Sequence, residues 1–89
     1  MNDRRLAEQV RIVGSGLLGA SIGLGLRAHG VDVIVEDASP SARNLAIAYG
    51  AGRAPASDDA PGLIVVAVPP DVTADVVAAE LQRFPDALV

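Results

Sequence analysis

The residues whose type and spacing most clearly suggest a binding site are three glycines that follow a short apolar segment. Gly14, Gly16 and Gly19 come directly after residues 10–13 and fit the pattern G-x-G-x-x-G. In that pattern the first glycine permits a tight turn, the second lets the backbone approach a pyrophosphate, and the third lets a helix pack closely on a strand. The open amides and the dipole at the N-terminus of the helix would attract phosphates. The candidate cofactor contacts are therefore Gly14, Ser15, Gly16, Leu17, Leu18 and Gly19.

An acidic pair ends the next apolar run. Asp37 lies eighteen residues after Gly19 and is in phase with Val35, at the tip of a predicted strand. A carboxylate there accepts hydrogen bonds from a ribose hydroxyl of NAD and repels the 2'-phosphate of NADP. We therefore predict NAD as the cofactor, with Asp37 as the ribose contact and Glu36 as the alternative. NADP stays possible if Arg43 folds back over the site, and a solvated acidic pair without a ligand is the other interpretation.

A third candidate segment is an apolar run, 63–68, that stops at two prolines. Ligands of open parallel sheets lie at the carboxyl ends of the strands. The backbone of Val68 and Pro69 would then line the pocket beyond the pyrophosphate. The alternative, that the prolines only begin the next helix, fits the sequence equally well.

Few other residues suggest catalysis or metal binding. The single histidine, His29, falls near the far end of the first helix, about 18 Å from the glycine loop, so we interpret it as a helix-terminal residue. Ser21 is interpreted as a packing or backbone-bonding residue. The remaining aspartates are interpreted as solvated or capping residues rather than metal ligands: Asp58, Asp59, Asp71 and Asp75. We predict no catalytic residue and no metal site in the chain.

The apolar patterns predict alternating strands and helices. Strands are expected at residues 10–13, 31–35, 63–68 and, incompletely, 87–89, with a very short one near 53–54. Helices are expected from Leu17 to His29, from Pro40 (capped by Ser39) to Tyr49-Gly50, and from the cap Asp71 to Arg83. This alternation favours a parallel sheet with right-handed crossovers. We predict an α/β, Rossmann-type sheet of order 3-2-1-4-5 whose last strand is incomplete.

Length and composition limit the classes of function. The 89 residues leave room for one domain, and the single Phe and single Tyr mean that its core is aliphatic. A net charge of -4 without a basic block argues against nucleic acid or an anionic membrane as a partner. The chain has no cysteine and no apolar run near the ~18 residues of a membrane span, so we expect a cytoplasmic protein.

The sequence resembles the N-terminal domain of prephenate dehydrogenases, a family that includes arogenate dehydrogenases. The likeness lies in the loop at residues 14–21, in Asp37, in the turn at residues 50–52 and in the strand end at 67–69. The resemblance implies oxidation of prephenate or arogenate by hydride transfer to NAD(P) with loss of carbon dioxide. It also implies that the catalytic histidine and the substrate-binding arginines follow the fifth strand, outside this chain. Related β-hydroxyacid dehydrogenases and pyrroline carboxylate reductases share the loop.

We interpret residues 1–89 as part of an N-terminal dinucleotide-binding domain, a fragment truncated at its fifth strand and inactive by itself. A C-terminal domain outside the chain would bind the substrate and form the dimer. A bare edge beside residues 63–68 favours a homodimer. The alternative from another class is a stand-alone module that binds a dinucleotide for regulation.

Overall fold

The computed structural model describes residues 8–89, and the polar start of the chain lies outside this range. Three strands and three α-helices alternate within it. They are β1 (Gln9–Val13), α1 (Leu17–Ala28), β2 (Asp32–Glu36), α2 (Pro40–Ala48), β3 (Leu63–Val66) and α3 (Thr73–Arg83), with a 3-10 turn at Pro70–Val72. None of these helices has both the length and the apolar character needed to cross a membrane.

The three strands form one parallel sheet with β1 in the middle, in the order β2-β1-β3. Val13 lies opposite Glu36 on one side and Val66 on the other, so the three strands end at the same edge. Single parallel bridges extend the sheet at both sides, from Arg53 to β2 and from Leu88 to β3. The predicted Rossmann-type order 3-2-1-4-5 is confirmed. β3 is the fourth strand of that order, and the third and fifth strands are each reduced to one bridge, at Arg53 and Leu88.

The element boundaries differ from the prediction in two informative places. β3 ends at Val66 rather than Val68, although the Ala67 N–H still donates to the Val13 carbonyl at 2.8 Å. The predicted capping role of Asp71 is wrong, since this residue lies in the 3-10 turn and α3 begins after it. The prediction for α2 is confirmed: the Ser39 hydroxyl accepts the Ala42 N–H at 3.3 Å.

One face of the sheet carries the main apolar core. Burying a Val or Ile side chain is worth about 1.5–3 kcal/mol, so the alternating residues of β1 and β2 decide which face turns toward α1 and α2. Partly buried Ile22 and Leu26 of α1 pack against this cluster. Its buried members are Val10, Ile12, Val33, Val35, Ala46 and Ala51.

The opposite face of the sheet buries an ion pair. Arg11 of β1 is 2% exposed, and its Nε donates to Oε1 of Glu80 in α3 at 2.5 Å. A second contact joins Arg11 Nη2 to Glu80 Oε2 at 3.3 Å, and the guanidinium lies 5.2 Å from the centre of the Phe84 ring. The pair ties α3 to the central strand, a contact that the sequence reading did not predict.

No helix lies between α2 and β3, and side-chain contacts hold this segment instead. Arg53 donates to Asp32 at 2.9 Å and to Asp59 at 2.7 Å. Gln9 accepts the Ala60 N–H at 2.6 Å. Because Gln9 and Asp32 begin β1 and β2, this network lies at the end of the sheet opposite the glycine loop.

Candidate functional site

The glycine loop starts where the three strands end. Gly14 has a φ of +103°, in the region that favours glycine. Its N–H donates to the carbonyl of Glu36, the last residue of β2, at 2.8 Å. A Cβ on Gly14 would collide with the carbonyl of Ala67, directly after β3. Both the turn and the close approach of β3 therefore require a glycine here.

Gly19 and Gly16 have opposite surroundings. A Cβ on Gly19 would collide with the Gly14 carbonyl, so the absence of a side chain lets α1 pack closely on the loop. A Cβ on Gly16 would meet no heavy atom of the described residues within 4 Å, and Gly16 is exposed. Packing of the described residues does not demand a glycine at position 16. The space beside its backbone is open to a ligand.

The first turn of α1 is suited to bind an anion. Gly16 is the N-cap residue, and no side chain among the described residues caps the helix. The Gly16 carbonyl accepts the Ala20 N–H at 2.8 Å, so the earlier amides are those that a helix leaves without internal partners. No acidic residue lies in this turn. Leu17 and Leu18 are 88% and 67% exposed at its surface, beside the amides that would face a phosphate.

Asp37 connects the glycine loop to the start of α2. Its Oδ2 accepts the Ser15 N–H at 2.8 Å and the Ser15 hydroxyl at 2.9 Å. Its Oδ1 accepts the Ser39 N–H at 2.8 Å. A carboxylate offers about four lone-pair positions, so these three bonds leave room for one further donor. The side chain expected to contact the ribose also fixes the loop that would hold the pyrophosphate.

The hydrogen bonds to Asp37 keep its carboxyl charged at neutral pH. Burial of the carboxyl raises its pKa, but the bonds from the Ser15 N–H, the Ser39 N–H and the Ser15 hydroxyl favour the ionised form more strongly. The net result is a pKa below the ordinary value for aspartate. The end of β2 therefore presents a full negative charge beside the glycine loop.

The side chain of Glu36 contacts neighbouring residues of the protein. Its Oε1 accepts the Asp37 N–H at 2.9 Å and lies 3.5 Å from Nη1 of Arg43 in α2. Both side chains in this ion pair are 28% exposed. Arg43 thus lies close to the site, as the sequence reading considered, and is held by Glu36.

The strand end after β3 lies beside the loop. Cγ1 of Val68 would be 3.1 Å from a Cβ placed on Gly14, so this side chain borders the glycine turn. Pro69 is exposed, and its carbonyl accepts the Val72 N–H and the Thr73 hydroxyl, both at 3.1 Å. Val68 is therefore brought to the site, while Pro69 also serves the start of α3.

The structure places the remaining polar candidates away from the loop or in local roles. His29 ends α1, as predicted, and the Ser21 hydroxyl donates to the Leu17 carbonyl at 2.7 Å. From the sequence, Asp59 is interpreted as a solvated or capping residue. Its side chain is 4% exposed and paired with Arg53, so it is not solvated, and its Oδ2 accepts the Ala56 N–H at 2.7 Å. Residues 8–89 contain no group of three or more His, Cys, Asp or Glu side chains that could hold a metal ion.

Two contributions to the site were not predicted from the sequence. One is the double hydrogen bond from Ser15 to Asp37, and the other is the contact between Glu36 and Arg43. The only signals were a small polar residue between two glycines and a basic residue early in the next helix. Both residue types are common in loops and on helix surfaces, so neither position indicates such a contact by itself.

Known proteins are similar to this chain in sequence. Residues 9–89 match the protein family described as NADP oxidoreductase, coenzyme F420-dependent. The chain belongs to this family. The probable prephenate dehydrogenase NovF of Streptomyces niveus is 47% identical to it over 72 residues. No solved structure shows a significant match to the chain.

The similarity to NovF covers 81% of this chain and 20% of NovF, so the chain spans a small part of that relative's length. The resemblance to prephenate dehydrogenases stated from the sequence is confirmed by this match. Within the NADP oxidoreductase family, the chain corresponds to a nucleotide-binding part of an NAD(P)-dependent dehydrogenase. A nicotinamide nucleotide is the class of cofactor that the family match supports.

Proposed function

We propose that this chain holds the ADP half of NAD for a dehydrogenase of the prephenate type. The observation that carries the proposal is the open space at Gly16: nothing in the described fold requires a glycine there, whereas a pyrophosphate lying on the backbone would. The uncapped first turn of α1 lies directly beside it. A ligand with two phosphates explains both features together.

Each part of the ligand has a matching group in the chain. The amides of residues 16–19 would hold the pyrophosphate, and Gly14 and Val68 would shape the floor of the site. The ionised Asp37 would accept a hydroxyl of the adenosine ribose through its remaining lone pair. Because its charge would repel a 2'-phosphate, we propose that NAD is preferred to NADP.

The groups present in this chain suit it to bind the cofactor, while the cofactor supplies the chemistry. When bound, the nicotinamide ring would accept a hydride from the substrate, and this chain would bind and orient the cofactor. Leu17 and Leu18, both exposed at the start of α1, would exclude water along one side of the ligand. We propose that the residues that bind and activate the substrate belong to a separate C-terminal domain. Prephenate or arogenate is the proposed substrate, on the strength of the similarity to NovF and the glycine loop.

The proposal is tested by asking which of two fragments of NAD competes with NAD for binding to the protein. Calorimetric titration with NAD should show saturable binding, and ADP-ribose should compete with it. Nicotinamide mononucleotide, which lacks the ADP half, should compete much more weakly. Equal competition by both fragments, or no NAD binding, would overturn the assignment.

A further inference from the structure

We infer that Glu36 strengthens the preference of the site for NAD over NADP by holding Arg43, rather than by contacting the ribose. The inference rests on the proposed function, since it concerns the adenosine end of the same nucleotide. It assigns a specificity-determining role to an ion pair between the end of β2 and the first turns of α2.

The position of the Glu36 carboxylate supports this role. Its Oε1 is engaged by the Asp37 N–H at 2.9 Å and by Arg43 Nη1 at 3.5 Å. The carboxylate is therefore directed at its own main chain and at a cation. Asp37, by contrast, lies against the Ser15 N–H in the glycine loop. Of the two acidic side chains, only that of Asp37 is hydrogen-bonded to the loop that would carry the phosphates.

Arg43 keeps unused capacity for an anion. A guanidinium carries five N–H donors, and its ion pair with Glu36 engages Nη1. The Nε atom is buried and has no hydrogen-bond partner among residues 8–89. A buried donor without a partner costs free energy that a suitable acceptor would recover. The 2'-phosphate of NADP is an acceptor of the right charge at this end of the sheet.

The charges at the end of β2 explain why the ion pair favours NAD. Glu36 and Asp37 contribute two negative charges, and Arg43 contributes one positive charge that Glu36 already neutralises. A neutral ribose hydroxyl needs no cation, so NAD binding leaves the pair intact. A 2'-phosphate would have to compete with Glu36 for Arg43 while lying near Asp37. Without the Glu36 charge, Arg43 would be free to pair with the phosphate.

The test is the ratio of the NAD and NADP dissociation constants, measured by calorimetry on the full chain. Glu36→Gln should shift this ratio toward NADP by about tenfold, the size expected for one charge-assisted hydrogen bond. In an Arg43→Gln background, the same substitution should produce little shift, because its effect depends on Arg43. Circular dichroism and urea denaturation of each variant would show that the fold is retained.

Two controls separate this mechanism from simpler ones. Asp58→Asn removes one negative charge from an exposed residue at the other end of the sheet and should leave the ratio unchanged. A Glu36→Gln ratio equal to that of Asp58→Asn would overturn the inference. A shift that persists undiminished in the Arg43→Gln background would also overturn it. The loss of the Glu36 charge would then act on the 2'-phosphate directly, without Arg43. Failure of the unmodified protein to bind either dinucleotide would instead overturn the proposed function.

Discussion

The three glycines of the loop differ in whether the fold itself requires a glycine. Gly14 and Gly19 have no room for a Cβ, so glycine at those positions serves the packing of the chain on itself. A Cβ on Gly16 would meet no heavy atom of the described residues within 4 Å, apart from its own chain neighbours. The proposed pyrophosphate, and not the packing of the described residues, would account for a glycine at this position.

Gly16→Val is expected to abolish NAD binding while leaving the thermal unfolding temperature close to that of the unmodified protein. The isopropyl group would occupy the space where the pyrophosphate meets the backbone. The measurement is calorimetric titration with NAD, together with a thermal unfolding curve. The matched control is Gly25→Val, because Gly25 lies in the same helix, is exposed, and also has no heavy atom within 4 Å of a Cβ. NAD affinity retained by Gly16→Val would remove the loop from the binding site.

At the scale of elements, the prediction succeeded where a pattern is local. The alternating apolar residues and the Ser39 cap define strands and helices from neighbouring residues alone. The contacts between Arg11 and Glu80, and between Ser15 and Asp37, join residues 69 and 22 positions apart. Such pairs depend on how whole elements pack, and their residue types are equally common on surfaces.

The same distinction applies to the edges of the sheet. The short strand near Arg53 and the incomplete strand at the end of the chain were expected, and each proves to be a single bridge. Arg53 itself lies outside any β-branched run, and its side chain is held by two aspartates. Local propensity predicts that such a segment is extended, but polar contacts from β2 decide where it lies.

Loss of the Glu80 carboxylate should strongly destabilise the packing of α3 on β1. Glu80→Ala would leave the guanidinium of Arg11 buried without a counter-charge, at a cost of about 3–5 kcal/mol in the free energy of unfolding. The double variant Arg11→Met with Glu80→Leu removes both charges and should recover most of this loss. Urea denaturation measures each value. Asp75→Ala, at an exposed position of the same helix, is the control, and a Glu80→Ala variant as stable as it would contradict the expectation.

At the scale of the whole molecule, three aspartates are expected to contribute to the loss of stability in acid. Hydrogen bonds from Arg53 and Gln9 lower the pKa of Asp32, and those from Ser15 and Ser39 lower that of Asp37 against the opposing effect of burial. Burial raises the pKa of Asp59 as well, but Arg53 and the Ala56 N–H lower it further. A carboxyl whose pKa is lower in the folded protein stabilises it above the unfolded value of ~3.9, and this contribution is lost as the pH falls through the folded pKa.

The urea midpoint is therefore expected to fall as the pH is lowered from about 5 to 3. Arg53→Gln should make this decline shallower, because Asp32 and Asp59 lose the partner that lowers their pKa, while Asp37 keeps its own. Arg83→Gln, which removes an equal charge at the end of α3, is the control. Identical pH dependence in Arg53→Gln and the unmodified protein would show that these ion pairs do not govern acid stability.

The position of Gly14 has a consequence for how the protein acquires its binding capacity during folding. Its amide is bonded to the last carbonyl of β2, and a Cβ on it would collide with the carbonyl just beyond β3, although the glycine itself follows β1. Segments far apart in the chain must all dock before this turn takes its final shape. A refolding molecule with only one neighbouring strand in place would lack a wall of the turn. Recovery of nucleotide affinity after dilution from denaturant would then report the last strand to join the sheet, and not the first.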